Sequence, residues 1–139
     1  MATPKTNNEL NDMLETIAEK ISENETIKEH CNGRIKLYEA PETMEKDGKP
    51  FIIIDPLTTP LPTSFASDTE LAYEFTYQID VQSSNRKLTK LIQNEVYQQM
   101  KQIDFFILPG GLDEYFEETK RFVDARRYRG RSSMYQTNY

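Results

Sequence analysis

Between Leu71 and Gln82 the chain alternates without error: Leu71, Tyr73, Phe75, Tyr77, Ile79 and Val81 are apolar, while Ala72, Glu74, Thr76, Gln78, Asp80 and Gln82 fill the positions between them. Successive strand side chains point to opposite sides, so this stretch is a strand with one face in a core and one face wet. A strand of that kind needs partner strands and a layer over its apolar face. The 139 residues provide that layer as helices. Leu10, Met13, Leu14, Ile17 and Ile21 recur at helical spacing behind Asn7 or Asn8 as N-cap, and Leu88, Leu91, Ile92, Val96, Met100 and Ile103 form one stripe behind Ser83, Ser84 or Asn85. Ser22 and Glu25 resemble a capping box for a short second helix ending near His30, before Gly33.

The remaining strands are shorter. Ile35 to Glu39 and Phe51 to Ile54 flank Asp47-Gly48, which reads as a hairpin turn, and Phe51 to Ile54 has no polar face and belongs inside the sheet. Pro109-Gly110-Gly111 reads as a turn before a last strand from about Glu114 to Arg127. The expected fold is therefore α+β: an antiparallel sheet with two main helices packed on one face. Residues 1–7 are expected to be a disordered lead-in, 8–131 a single domain, and 132–139 a mobile tail. Within the domain, residues 55–67 hold Pro56, Pro60 and Pro62 and read as an exposed loop, long enough to suggest a function.

Residues suited to catalysis are sparse. Cys31 is the only cysteine and His30 the only histidine, which forbids an internal disulfide and leaves no zinc or iron set. Side chains of adjacent residues on a helix diverge, so His30 does not serve Cys31 as a base. Glu117-Glu118 and Asp113-Glu114 read as a solvated face, and Gly110-Gly111 lacks the lysine and helix-opening pattern of a phosphate loop. We expect no enzyme activity, no cofactor and no metal. The start of the chain has no apolar run to act as a signal, and no stretch is apolar for long enough to span a bilayer, so the expectation is a cytoplasmic protein without membrane contact.

Charge is unevenly placed. The net charge is -6, yet residues 120–139 hold six basic residues and one acidic, while residues 1–119 hold 11 basic and 22 acidic. Lys120, Arg121, Arg126, Arg127, Arg129 and Arg131 lie among Phe122, Tyr128, Tyr135 and Tyr139. Arginine with interleaved aromatics invites a nucleic-acid reading, and the favoured reading is pairing with an acidic surface, on its own domain or on a neighbouring copy. The acidic body opposes the first reading, because it repels a phosphate backbone.

The order of elements and several local phrases resemble the tail-terminator, or tail-completion, proteins of long-tailed bacteriophages over most of residues 8–131. The resemblance rests on the amphipathic helix Leu10 to Ile21, on Ile35-Lys36-Leu37-Tyr38 followed by a proline, and on Lys49-Pro50-Phe51-Ile52-Ile53-Ile54. It continues through Tyr77-Gln78-Ile79-Asp80-Val81-Gln82, the helix start Asn85-Arg86-Lys87-Leu88, and the closing Arg126-Arg127-Tyr128-Arg129. These are features of layout and texture rather than a catalytic signature.

What the resemblance implies is a structural virion protein. It would form a ring, typically hexameric, at the head-proximal end of the tail, ending growth of the tube and offering the surface that joins the head. The implied partners are copies of itself, the major tail tube protein and the head-tail connector protein, with DNA passing through the channel without specific binding. On this reading Arg126, Arg127, Arg129 and Arg131 bridge to acidic residues of the adjacent subunit, with Glu74 and Asp80 as the candidate acids, and Leu57, Thr58, Thr59, Leu61 and Phe65 touch the tube or the connector. A head-to-tail contact of this kind closes into a ring where its rotation allows. The alternatives are a head-completion adaptor on the portal side, and a small nucleic-acid-binding module using the basic arm.

Overall fold

A computed structural model describes residues 12–63, 72–132 and 139. The expected lead-in, Asn7, Asn8, Leu10, Phe65 and Leu71 lie outside the described residues. Among the described residues four helices and six strands follow one another as α1 (Met13–Ser22), α2 (Glu25–Cys31), β1 (Ile35–Leu37), α3 (Glu42–Lys46), β2 (Phe51–Pro56), β3 (Leu61–Thr63), β4 (Ala72–Ser83), α4 (Arg86–Gln102), β5 (Phe106–Phe116) and β6 (Arg121–Arg131). The sheet order is β1-β2-β4-β6-β5, with β3 pairing the start of β4. Every pairing is antiparallel except β1 with β2. The expected α+β fold is the one observed.

The alternation in β4 decides what the sheet covers. Phe75, Tyr77, Ile79 and Val81 are buried on the helical side, where they meet Ile52 and Ile54 of β2 and Tyr128 of β6. Met13, Leu14, Ile17 and Ile21 of α1, Ile27 and Cys31 of α2, and Ile92, Val96 and Met100 of α4 close the core from above. Each fully buried isoleucine contributes about 1.5–3 kcal/mol relative to exposure. Buried Gln93 of α4 ties helix to sheet, its Nε2 donating to the carbonyls of Ile79 (3.0 Å) and Asp124 (2.6 Å).

Several expectations are corrected. Asp12 caps α1 by accepting from the amides of Leu14 and Glu15, and Asn24 caps α2 by accepting from the Ile27 amide, so the Ser22–Glu25 capping box is not formed. The segment expected to form a hairpin between β1 and β2 contains α3, which lets the chain cross over and return parallel. Part of the expected loop 55–67 is strand: β2 runs to Pro56, and Leu61, Pro62 and Thr63 pair with Glu74, Tyr73 and Ala72. Proline is tolerated there because β3 is an edge strand.

The last expected strand is instead one arm of a hairpin. Pro109-Gly110-Gly111 is a bulge inside β5, between the pairs Leu108↔Arg127 and Leu112↔Ala125, and the true turn lies between Phe116 and Arg121. Gly110 and Gly111 have φ of +100° and +105°, so the chain jogs and regains its partner. Of the expected tail 132–139, Ser132 is buried and Tyr139 packs its ring 4.9 Å from that of Phe75, while residues 133–138 lie outside the described residues.

Candidate functional site

Helices α1, α2 and α4 cover one face of the sheet; the other is closed at one end, where Phe51 and Arg121 are buried beside the segment before β2, and along the rest it carries the residues that sequence analysis singled out. The register sets Arg131 opposite Glu74, Arg129 opposite Thr76, Arg127 opposite Gln78 and Ala125 opposite Asp80. Strand alternation therefore splits the four candidate arginines. Arg127, Arg129 and Arg131 stand on the uncovered face with Glu74, Gln78 and Asp80. Arg126 turns to the helical side, where its Nε donates to Asp124 (3.0 Å) and its Nη2 to Asn94 (3.4 Å).

On the uncovered face, Arg127 Nε donates to Gln78 Oε1 at 3.0 Å. Arg129 and Arg131 share Glu74, at 3.5 and 4.0 Å. Both ion pairs are open to solvent, so each contributes at most about 1 kcal/mol and exchanges readily for a carboxylate on another molecule. Leu61 lies in the same cross-strand row as Glu74 and Arg131, so one candidate tube contact and the candidate interface adjoin. Leu57, Thr58 and Thr59 are exposed in the connection between β2 and β3.

Asp80 stands apart, six residues along β4 from Glu74 and flanked by Ile53 and Ala125. Burial raises its pKa; the Gln78 amide bond opposes the shift and Asp55 on the same face adds to it. Because the folded-state pKa exceeds the unfolded one, the native chain holds this proton longer, and stability falls as pH climbs from the ordinary carboxylate range through the raised value. Asp80→Asn is therefore expected to raise the melting temperature at about pH 7 and to change it little at about pH 4. An equal effect at both pH values would show that the carboxylate's charge is not the cause.

On the helical side, a cleft of about 400 Å³ is lined by residues that include Lys90, Gly110, Gly111, Asp113, Asp124 and Arg126. Lys90 Nζ lies 2.6 Å from Asp113 and 2.7 Å from Asp124. Burial works against the charge on Lys90, and the two carboxylates outweigh it and raise its pKa, while the Lys90 bond holds Asp113 below its usual range. The charges in this cleft answer one another. Cys31 is fully buried, which pushes its thiol up to about 12 and keeps it protonated at neutral pH.

A feature that sequence analysis missed is the apolar edge of the sheet. Phe106, Ile107, Leu112, Tyr115 and Phe116 of β5 are all exposed, Phe106 at 59% and Tyr115 at 49%. The available signal was Phe105-Phe106-Ile107-Leu108, as apolar as the central strand Phe51 to Ile54. Only Phe105 of that run is buried, and its ring packs on Gly130. Comparison with known proteins gives no match: no family profile and no curated sequence aligns with this chain.

Proposed function

We propose that the chain is a structural subunit that closes with copies of itself into a ring at the head-proximal end of a phage tail tube. The ring ends tube polymerisation and offers the surface that joins the head. The observation that carries this reading is the uncovered sheet face, where Arg127, Arg129 and Arg131 stand beside Glu74 in solvent-exposed pairs that a neighbouring copy can exchange. The layout that resembles tail terminators supplies the particle. Its function is binding, and the acidic balance of the chain, -6 overall, suits a channel that lets DNA pass without holding it.

The test is native mass across a concentration series at moderate salt, with negative-stain images of any large species. A closed ring of about six copies is expected from the resemblance, together with capture of the purified tail tube protein. Capture of the portal or connector protein instead would make the chain a head-completion adaptor. DNA affinity with a steep salt dependence, lost on removal of residues 120–139, would make it a nucleic-acid module.

The arginine row gives a sharper outcome. Arg127→Glu, Arg129→Glu and Arg131→Glu combined should weaken association by about tenfold or more, because each charge reversal sets like charges together at the contact. Surface positions of this kind carry little of the fold's stability, so the monomer should keep its circular dichroism spectrum. An unchanged ring would remove the row from the interface.

A further inference from the structure

Among the described residues the sheet has two unpaired edges, and the exposed apolar side chains collect on them. One edge is β5, an eleven-residue strand paired on one side only, carrying Phe106, Ile107, Leu112, Tyr115 and Phe116. The other is formed by β1 and β3. Glu74 pairs with both Leu61 and Arg131, so β3 lies on the β2 side of β4, and β1 flanks β2 on that same side. This second edge and the connections beside it carry Leu37, Tyr38, Leu57 and Leu61. Among the described residues, Leu91 is the one large exposed hydrophobic that belongs to neither group.

An edge strand presents a row of unpaired amides and carbonyls, and soluble proteins ordinarily blunt such a strand with charge or cover it. Here the Pro109-Gly110-Gly111 bulge, Asp113 and Glu114 interrupt the middle of β5, and exposed aromatic side chains stand on either side of them, Phe106 before and Tyr115 and Phe116 after. Tyr38, at the far edge, is 63% exposed and held at φ +72°, a conformation that costs a bulky residue free energy.

Two different apolar edges on opposite sides of one sheet are what a head-to-tail contact requires, since each copy then gives one edge and receives the other. Charge separates this arrangement from a symmetric one. The segment 104–120 holds five acidic residues and one basic, so two β5 strands laid directly edge to edge would set like charges side by side. The opposite side, residues 34–63, holds four basic and five acidic residues, with Lys36 on the edge strand itself.

We infer that copies of this chain join edge to edge, β5 of one adding to the β1–β3 edge of the next, so that the sheet continues from subunit to subunit. This rests on the ring reading in naming a second copy as the occupant; the edges supply the main-chain pairing, and the arginine row, one strand in from β5, stands on the face beside that contact. Main-chain pairing gives the contact its direction, and the aromatic side chains bury against the neighbouring edge.

Two variants test it. Phe106→Lys with Tyr115→Lys blocks the β5 edge, and Leu37→Asp with Leu61→Asp blocks the opposite edge. Native mass should show each alone as a monomer, with association weakened about a hundredfold. A one-to-one mixture should give a heterodimer that grows no further, because only one good pair of edges remains. The inference fails if either variant assembles like the wild type, if the Leu37→Asp, Leu61→Asp variant forms a β5-to-β5 dimer, or if the wild-type chain stays monomeric at every concentration.

Hydrogen exchange on the wild type provides a second measurement that no folding defect can confuse. Amides of residues 106–116 and of residues 35–38 and 61–63 should gain protection together as concentration rises, and protection at one edge alone overturns the inference. A ring that survives both variants would discard these edges and leave the ring reading intact. Edge-dependent filaments or dimers without closure would do the reverse.

Discussion

Gly111→Ala should release β5 from the sheet. A methyl group at this position would collide with the backbone carbonyl oxygen of Ala125 on β6, and it would sit at φ +105°, where side chains are rarely accommodated. The obstacle is main chain in the middle of a ladder, so no side chain can swing aside. Backbone strain and the collision together should cost about 3 kcal/mol or more, which lowers the melting temperature by roughly 10 °C. The expected form of the damage is local: amide exchange across residues 106–116 should become fast while β4 stays protected. Gly33→Ala is the control, because φ is +72° there but nothing lies within 4 Å, and only a left-handed penalty of about 1 kcal/mol is expected. If Gly111→Ala costs no more than Gly33→Ala, the bulge does not depend on the missing side chain. Since β5 carries the exposed apolar edge, this variant should also lose self-association.

Arg121 should show the next largest effect. It is 1% exposed, the bulkiest of the fully buried side chains, and its guanidinium lies 4.4 Å from the centre of the Phe51 ring. Its Nη2 donates to the carbonyls of Lys49 (2.6 Å) and Gln82 (3.1 Å), pinning the segment before β2 to the end of β4. Nε and Nη1 have no hydrogen-bond partner among the described residues, and burial lowers the pKa of the group, so the charge is an expense. Arg121→Ala removes two hydrogen bonds and leaves a cavity, a loss of about 3 kcal/mol or more. Arg121→Met fills most of the space without burying a charge, and should be at least about 2 kcal/mol more stable than the alanine variant. Urea unfolding of the two variants decides the matter. Equal midpoints would show that packing at this site does not contribute to stability.

Much of the fold was legible along the chain wherever one local period was enough. The strict alternation of residues 71–82 and the stripe from Leu88 to Met100 identified β4 and α4, because each pattern fits only one backbone geometry. The candidate site was legible in part. The basic closing segment was visible, and the parity of Arg127, Arg129 and Arg131 against Arg126 was present in their numbering, but parity has meaning only once the segment is known to be a strand through all four.

Other features depended on partners distant in sequence. Pro109-Gly110-Gly111 carries the composition of a turn, and it became a bulge because β6 extends far enough to pair on both sides of it. Asp47-Gly48 looked like the tip of a hairpin, and the helical turn of α3 before it made β1 and β2 parallel instead. Phe106 to Leu108 is as apolar as Phe51 to Ile54, yet one run is exposed at an edge and the other lies inside the sheet. The sequence by itself determined the periods, the caps near Asn85, and the separation of charge between the body and the closing segment. Only the tertiary structure decided strand order, and with it which apolar residues are buried and which remain at the two edges. Burial is a property of neighbours, and a local pattern does not name them.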